Sequence, residues 1–122
     1  MLPAEEIQTK LETFHGSDSY FQCHNPNFLM SEGVHYLVDA AECGWLLDAI
    51  PPYILRLRMP WAVLELRKSG NRWTLTLTDA EGKVCVTEPV DYCTFPLPEI
   101  KLLIEWSELC GNKWVVYLPS EH

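Results

Sequence analysis

The segment from Gly33 to Ile50 constrains the fold more than any other part of the chain. Its apolar residues recur at helical spacing, which predicts a single amphipathic helix with one apolar face. Ser31 is placed to cap the start of this helix, and Pro51-Pro52 should end it, because a residue that precedes proline avoids the α region. The apolar face that must be buried comprises Val34, Leu37, Val38, Ala41, Trp45 and Ala49.

A second feature of this helix is the pair of small residues Ala40 and Gly44, four positions apart. Gly44 costs about 1 kcal/mol of helix propensity, so we expect it to have a packing reason, namely close approach of another element. A shorter helix is predicted upstream, where Pro3 begins a segment with an apolar face of Ile7, Leu11 and Phe14.

Alternation with a period of two predicts the sheet that covers these helices. In residues 72–78, Trp73, Leu75 and Leu77 should be buried and the intervening threonines should face water. Residues 99–110 fit a strand and a helix, and we favour the strand because Gly111-Asn112 then makes a hairpin with 114–118. Residues 53–59 alternate as a strand does, whereas the two leading prolines also suit the start of a short helix, so this segment stays undecided. The remaining predicted strands are 19–24, 28–30, 61–68 and 83–88.

The elements predict an α+β fold in which two helices pack on one face of an antiparallel sheet of about five strands. With 122 residues the chain is predicted to be a single domain, residues 1–122.

Net charge limits the classes of partner. The formal charge is −8, with 17 acidic and 9 basic residues. Such a surface repels phosphate backbones, so direct nucleic-acid binding is disfavoured, and we read the charge as serving solubility. The local basic residues are Arg56, Arg58, Arg67, Lys68 and Arg72. No stretch approaches a membrane span and the N-terminus does not resemble a signal peptide, so we expect a cytoplasmic protein without membrane contact.

Cysteine and histidine spacing gives no sign of a metal or catalytic site. The five cysteines have no paired spacing and are expected to be free thiols. Cys23 and His24 are adjacent, so on a strand they would point to opposite faces, which argues against a metal centre built from both. No nucleophile motif or phosphate-binding loop is present, and we predict no catalytic residue, no metal and no cofactor.

Five residues form a tentative pocket or interaction site. Asp48 falls near the apolar face of the long helix, where it is either a buried acid with a raised pKa or a residue at the edge of that face. The tentative set comprises His24, Tyr36, Trp45, Asp48 and Glu121.

Several runs together resemble a domain-of-unknown-function family of small bacterial proteins that are associated with phages and plasmids. The most specific are Gly33–Leu37, Trp45–Ile50 and Leu118–Glu121, and Phe14–Ser17 and Phe95–Leu97 fit the same pattern. The chain ends Glu-His where the family pattern has Glu-Tyr. The resemblance implies one fold over nearly the whole length and carries no activity.

Two function hypotheses follow. The leading one is a small acidic accessory protein that binds another protein, for example a basic one. If the chain comes from a mobile element, its role would be to inhibit a host defence or nucleic-acid-handling complex. Self-association as a homo-oligomer is a related expectation. The alternative is a small-molecule-binding protein or small enzyme with a pocket between helix 33–50 and the sheet. An exposed tryptophan on a strand would indicate a binding surface.

Overall fold

The computed structural model describes residues 1–91 and 93–121. These residues form four α-helices and seven strands, followed by a short 3-10 helix at Pro119–Glu121. The helices are α1 (Ala4–Leu11), α2 (Glu32–Ala41), α3 (Gly44–Asp48) and α4 (Ile50–Leu57). The strands are β1 (Tyr20–Gln22), β2 (Phe28–Ser31), β3 (Trp61–Ser69), β4 (Arg72–Asp79), β5 (Val84–Val90), β6 (Glu99–Ser107) and β7 (Lys113–Tyr117).

The strands form one mixed sheet with the order β1-β2-β7-β6-β3-β4-β5. The prediction of an α+β fold is confirmed, but the prediction of about five antiparallel strands is wrong. Strand β2 pairs in parallel with β7, with Phe28 opposite Trp114 and Met30 opposite Val116, whereas the other neighbours pair antiparallel. The β1–β2 hairpin, which precedes the long helical region, thus joins the last strand of the chain. A pairing so distant in sequence leaves no local signal.

The helices lie on one face of the sheet, where the core is formed. The predicted row of Trp73, Leu75 and Leu77 is buried and belongs to this core, together with Ile7, Val34 and Leu37 from the helices. The prediction of a strand over the contested segment is confirmed by β6, which pairs with both β3 and β7. The alternation of β4 therefore located the buried face of the sheet correctly.

The single helix expected over 33–50 is instead divided into α2, α3 and the start of α4. Helix α2 ends because Glu42 adopts a left-handed conformation with φ of 50°, and the Cys43 N–H donates to the Val38 carbonyl across 3.1 Å. This is the bonding pattern that terminates many helices, although glycine is the usual residue at the left-handed position. One consequence is that Trp45, expected in the buried face, is exposed.

The two prolines begin a helix where the sequence analysis expected them to end one. Pro51 and Pro52 lie in the first turn of α4, where the missing N–H groups would have no partner within the helix anyway. The undecided segment 53–59 therefore completes a helix, which ends at Arg58 with φ of 52°. Ser31 caps α2 as predicted, because its Oγ accepts a hydrogen bond from the Val34 N–H at 3.2 Å.

Candidate functional site

His24 and Asp48 are the two predicted site residues that meet. The Asp48 carboxylate oxygens lie 3.0 and 3.1 Å from His24 Nδ1. The His24 side chain is 88% exposed and the Asp48 side chain 48%, so water screens the pair. An exposed pair of this kind contributes at most about 1 kcal/mol. The half-exposed carboxylate agrees with the view that Asp48 lies at the edge of the apolar face, not with a buried acid.

The thiol beside this pair is not suited to nucleophilic chemistry. Cys23 is buried, and burial, with a smaller contribution from the Asp48 charge, raises its pKa to about 11. Burial likewise raises the pKa of Cys43 to about 12. A thiol nucleophile needs a lowered pKa, so these two cysteines act as small packing groups. In residues 1–91 and 93–121, no three His, Cys, Asp or Glu side chains form a group that could hold a metal ion.

The other three predicted site residues have different surroundings. Tyr36 on α2 packs against Phe14, with ring centroids 5.8 Å apart, and thereby ties the segment after α1 to α2. Trp45 lies exposed in the first turn of α3. Glu121 lies in the C-terminal 3-10 helix. His24 and Asp48 therefore contact each other, whereas Tyr36 and Glu121 have partners outside the predicted set.

Glu121 is the centre of a polar cluster that we call the C-terminal clasp, formed with Ser31, Gly33 and Leu118. Its Oε1 accepts hydrogen bonds from the Ser31 hydroxyl at 2.6 Å and from the Leu118 N–H at 2.9 Å. Its Oε2 accepts one from the Gly33 N–H at 3.1 Å. One carboxylate therefore joins the end of the chain to the start of α2, where a negative charge is also favoured by the helix dipole.

The side chains of the clasp pack closely on the backbone of Gly33. A Cβ built on Gly33 would lie 2.6 Å from Leu118 Cδ1 and 2.8 Å from Glu121 Oε1. At Gly44, by contrast, a Cβ would meet no described atom within 4 Å. The close approach that the sequence analysis assigned to Ala40 and Gly44 is therefore made at Gly33, where the terminal segment packs on α2.

At the other end of β7, an open apolar groove of about 350 Å³ lies between α4 and the ends of β6 and β7. This volume is within the range of ordinary ligand sites. We call it the tryptophan groove. Its lining comprises Ile54, Leu55, Arg58, Met59, Pro60, Trp106 and Trp114.

The tryptophan groove has rigid walls. The Trp114 Nε1 donates to the Met59 carbonyl at 3.2 Å, and the Trp106 backbone N–H donates to the Pro60 carbonyl at 2.8 Å. The two indole rings meet edge to face with centroids 4.5 Å apart, and Phe28 stacks on Trp114 at 5.1 Å. The segment that follows α4 is thus held against β6 and β7 by both tryptophan residues, so the groove is preformed.

The groove leaves apolar surface in contact with water. Trp106 is 37% exposed and Leu55 is 45% exposed. Arg58 is the only charged residue among the described lining residues, and no ion pair of its guanidinium is recorded in the described part of the chain. Trp106 is the exposed strand tryptophan that the sequence predicts to mark a binding surface. The groove itself could not be predicted, because residues 53–59 fit both a strand and a helix.

On the opposite face of the sheet, Tyr117 donates a hydrogen bond to Glu105 Oε2 at 2.9 Å. Burial, this bond and the Glu105 charge raise the pKa of Tyr117 to about 12, and a hydrogen bond with Trp61 partly offsets the rise. Tyr117 is the last residue of β7 before the clasp.

No helix in the described ranges has both the length and the apolar composition that crossing a bilayer requires. Comparison with curated proteins gave no match, and comparison with solved structures gave none either. The family model described as "Family of unknown function (DUF6876)" matches residues 5–122, which is nearly the whole chain. The chain therefore belongs to DUF6876, as its resemblance to a family of unknown function indicated.

Proposed function

We propose that this chain is a small acidic protein-interaction module that binds its partner through the tryptophan groove. The observation that supports the proposal is the exposure of Trp106 and Leu55 across a rigid, apolar groove. The alternative of a helix–sheet pocket has less support, because Val34, Leu37 and Ala41, which lie on the core side of α2, are buried in the core.

The chemistry of the lining favours a protein partner. Tryptophan and arginine are the residues most enriched among those that dominate binding energy at protein interfaces. Preformed grooves also bind with little loss of conformational entropy, because their side chains are already ordered. Since Trp114 and Met59 are joined by a hydrogen bond before any partner arrives, the groove meets this condition.

The occupant that fits is a protein segment with a bulky apolar side chain next to a carboxylate. The apolar side chain would displace water from between Leu55 and Trp106, while the carboxylate would pair with Arg58. Full burial of one leucine-sized side chain contributes about 1.5–3 kcal/mol. A carboxylate on a guanidinium adds orientation through a two-pronged hydrogen bond.

The groove and the rest of the surface select different partners. The basic partner expected from the net charge of −8 would contact the acidic surface, whereas the groove selects an acidic segment through Arg58. The role as an inhibitor of a host defence or nucleic-acid-handling complex stays a prediction.

Affinity purification tests the proposal when groove variants are compared with a matched surface variant. The tagged chain is expressed in the cells that naturally carry it, alongside L55S, W106S and V84S, and each recovered partner is then rebound to purified protein. Val84 is 53% exposed on the edge strand β5, so V84S removes exposed apolar surface away from the groove.

We expect a stoichiometric protein partner with the wild-type chain and V84S, and at least about tenfold weaker binding with L55S and W106S. Equal retention by all four chains would show that the groove is not the binding surface. If no protein, including an untagged copy of the chain, is retained, the chain is not an interaction module.

A small apolar carboxylic acid is the second candidate occupant, favoured by the volume of about 350 Å³ and the lone Arg58 at the lining. Native mass spectrometry of the purified chain distinguishes the two, because a retained small acid would add a discrete mass that L55S and W106S lose.

A further inference from the structure

The turn of the hairpin between β6 and β7 carries a leucine, Leu109, whose side chain is exposed to solvent. Leu109 is 100% exposed. The turn that carries it is nevertheless ordered, because the Gly111 N–H donates to the Glu108 carbonyl and the Cys110 N–H to Ser107 Oγ, both at 3.2 Å. In this position the Leu109 side chain contributes nothing to the apolar burial of its own chain and stays available for a contact with another molecule.

This hairpin tip lies at the same end of the sheet as the tryptophan groove. Trp106 pairs with Trp114, Ser107 pairs with Lys113 one position further, and the tip follows at once. Its complete exposure shows that Leu109 does not occupy the groove of its own chain. Where this end of the molecule forms an isologous interface, the projection of each copy can meet the recess of the other, because residue i then contacts residue j and residue j contacts residue i.

The charges next to these two features are opposite. Glu108 precedes Leu109 in the exposed turn, and Arg58 lines the groove. Neither side chain has an ion pair recorded within the described ranges. The Glu108-Leu109 pair is thus a carboxylate beside a bulky apolar side chain, which is the chemistry that the groove selects.

We propose that the partner that fills the tryptophan groove is a second copy of this chain. In the resulting symmetric dimer, Leu109 of each copy lies between Leu55 and Trp106 of the other, and Glu108 pairs with Arg58. This inference rests on the proposed function in that it takes the groove to be a protein-binding surface. Each copy carries a formal charge of −8, so repulsion opposes the encounter and the apolar contact must supply most of the affinity.

Sedimentation equilibrium of the purified full chain, from low to high micromolar concentration, tests the dimer. L109S removes the projecting side chain, and V84S, which removes an exposed apolar side chain on β5, is its matched control. Because the symmetric dimer buries two copies of Leu109, we expect L109S to raise the dimer dissociation constant by about 100-fold or more and V84S to leave it unchanged. Leu109 is fully exposed, so L109S should keep the circular dichroism spectrum and melting temperature of the wild type.

A charge exchange tests the pairing separately. R58E and E108R should each weaken the dimer about tenfold or more, and the double variant R58E/E108R should restore most of the loss, because the two charges then attract again. R72E, at an exposed arginine in the β3–β4 hairpin, is the matched charge control and should not weaken the dimer.

A wild-type chain that stays monomeric at every concentration, or a dimer that persists in L109S, would overturn the inference. Failure of the double variant to recover any affinity would overturn the Arg58–Glu108 pairing. A monomeric wild type that still binds a different protein through Leu55 and Trp106 would leave the proposed function standing, so the two failures are distinguishable.

Discussion

The two ends of strand β7 differ in how completely the rest of the chain packs against them. Beyond its last residue lies the clasp, in which the Glu121 carboxylate accepts hydrogen bonds from Ser31, Gly33 and Leu118. At its first residues, Trp114 borders a groove that leaves Leu55 exposed. One end of the strand is thus covered by contacts within the chain, whereas the other end leaves apolar surface exposed to water.

The difference separates stability from recognition. The clasp joins residues about 90 positions apart, and a carboxylate that accepts three hydrogen bonds is costly to replace. The tryptophan groove is built from ordered side chains, yet its exposed parts contribute little to folding because water still reaches them. Substitutions at the clasp should therefore change the free energy of unfolding, whereas substitutions at the exposed wall of the groove should change association.

The largest effect on stability is expected from E121A. This substitution removes the acceptor of the Ser31 hydroxyl and of the Gly33 and Leu118 N–H groups, so we expect the free energy of unfolding to fall by about 2–4 kcal/mol. Urea denaturation measures the change. E81A, at an exposed turn residue, is the control and should stay within about 0.5 kcal/mol of the wild type. A loss below about 1 kcal/mol for E121A would contradict the central role of the clasp.

A smaller loss is expected when the space inside the clasp is filled. G33A places a Cβ within 2.6 Å of Leu118 Cδ1, so Leu118 and Glu121 must shift, at a cost of about 1–3 kcal/mol. The matched variant is G44A, where the added Cβ meets open space and helix propensity improves. We expect G44A to be neutral or to gain up to about 1 kcal/mol. Equal effects of the two variants in urea denaturation would refute the assignment of the close approach to Gly33.

Features that lie within one element or between neighbours in sequence could be predicted, whereas the break in the long helix could not. The period of two identified the buried face of β4, because that signal lies within one element. The Gly111-Asn112 turn correctly favoured a strand over β6, because a hairpin joins strands that are neighbours in sequence. The break after α2 was missed, since it occurs at Glu42, a residue type seldom found in the left-handed conformation. The apolar pattern continues across the break as far as Ala49 and therefore conceals it.

The candidate site was predictable only in part, for the same reason. His24 and Asp48 belong to the predicted site and do meet, although they are 24 residues apart. Glu121 was selected without its partners, because the contact with Gly33 depends on how the terminal segment crosses α2. The groove depends on Arg58, whose position follows from two prolines that begin a helix. Long-range pairing leaves no local spacing, whereas the two prolines are a local signal that suits a helix start but competed with the alternation of a strand.

The groove end should respond more weakly to substitution, and its two tryptophans should differ. W114F removes the Nε1 donor to the Met59 carbonyl and some buried ring area, so we expect a loss of about 1–2 kcal/mol. W106F keeps an aromatic ring in a site that is already 37% exposed, and should cost about 0.5 kcal/mol. If W106F destabilises as much as W114F in the same denaturation experiment, the exposed wall is part of the folding core and the contrast between the two ends fails.

The smallest expected effect is on stability at alkaline pH, through the ionisation of Tyr117 at the end of β7 beside the clasp. Its pKa is raised from 10.0 to about 12 by burial and by the hydrogen bond to Glu105, so the folded chain keeps the phenol proton at pH values where the unfolded chain has lost it. Between those two pKa values the folded state binds more protons than the unfolded state, and stability must therefore fall as the pH rises. The contribution is fully present below pH 10 and is lost as the pH passes about 12.

The variant Y117F isolates this group, because it cannot ionise and the other tyrosines remain. We expect the free energy of unfolding to fall less steeply in Y117F than in the wild type above pH 10, and the tyrosinate absorbance of the wild type to show one phenol titrating near pH 12 that is absent from Y117F. Y20F is the comparison variant for the alkaline slope, because burial also raises the pKa of Tyr20, which lies on the same face of the sheet. Identical alkaline slopes for the wild type and Y117F would mean that Tyr117 is solvated like a free phenol, and the end of β7 beside the clasp would then be as open as the groove end.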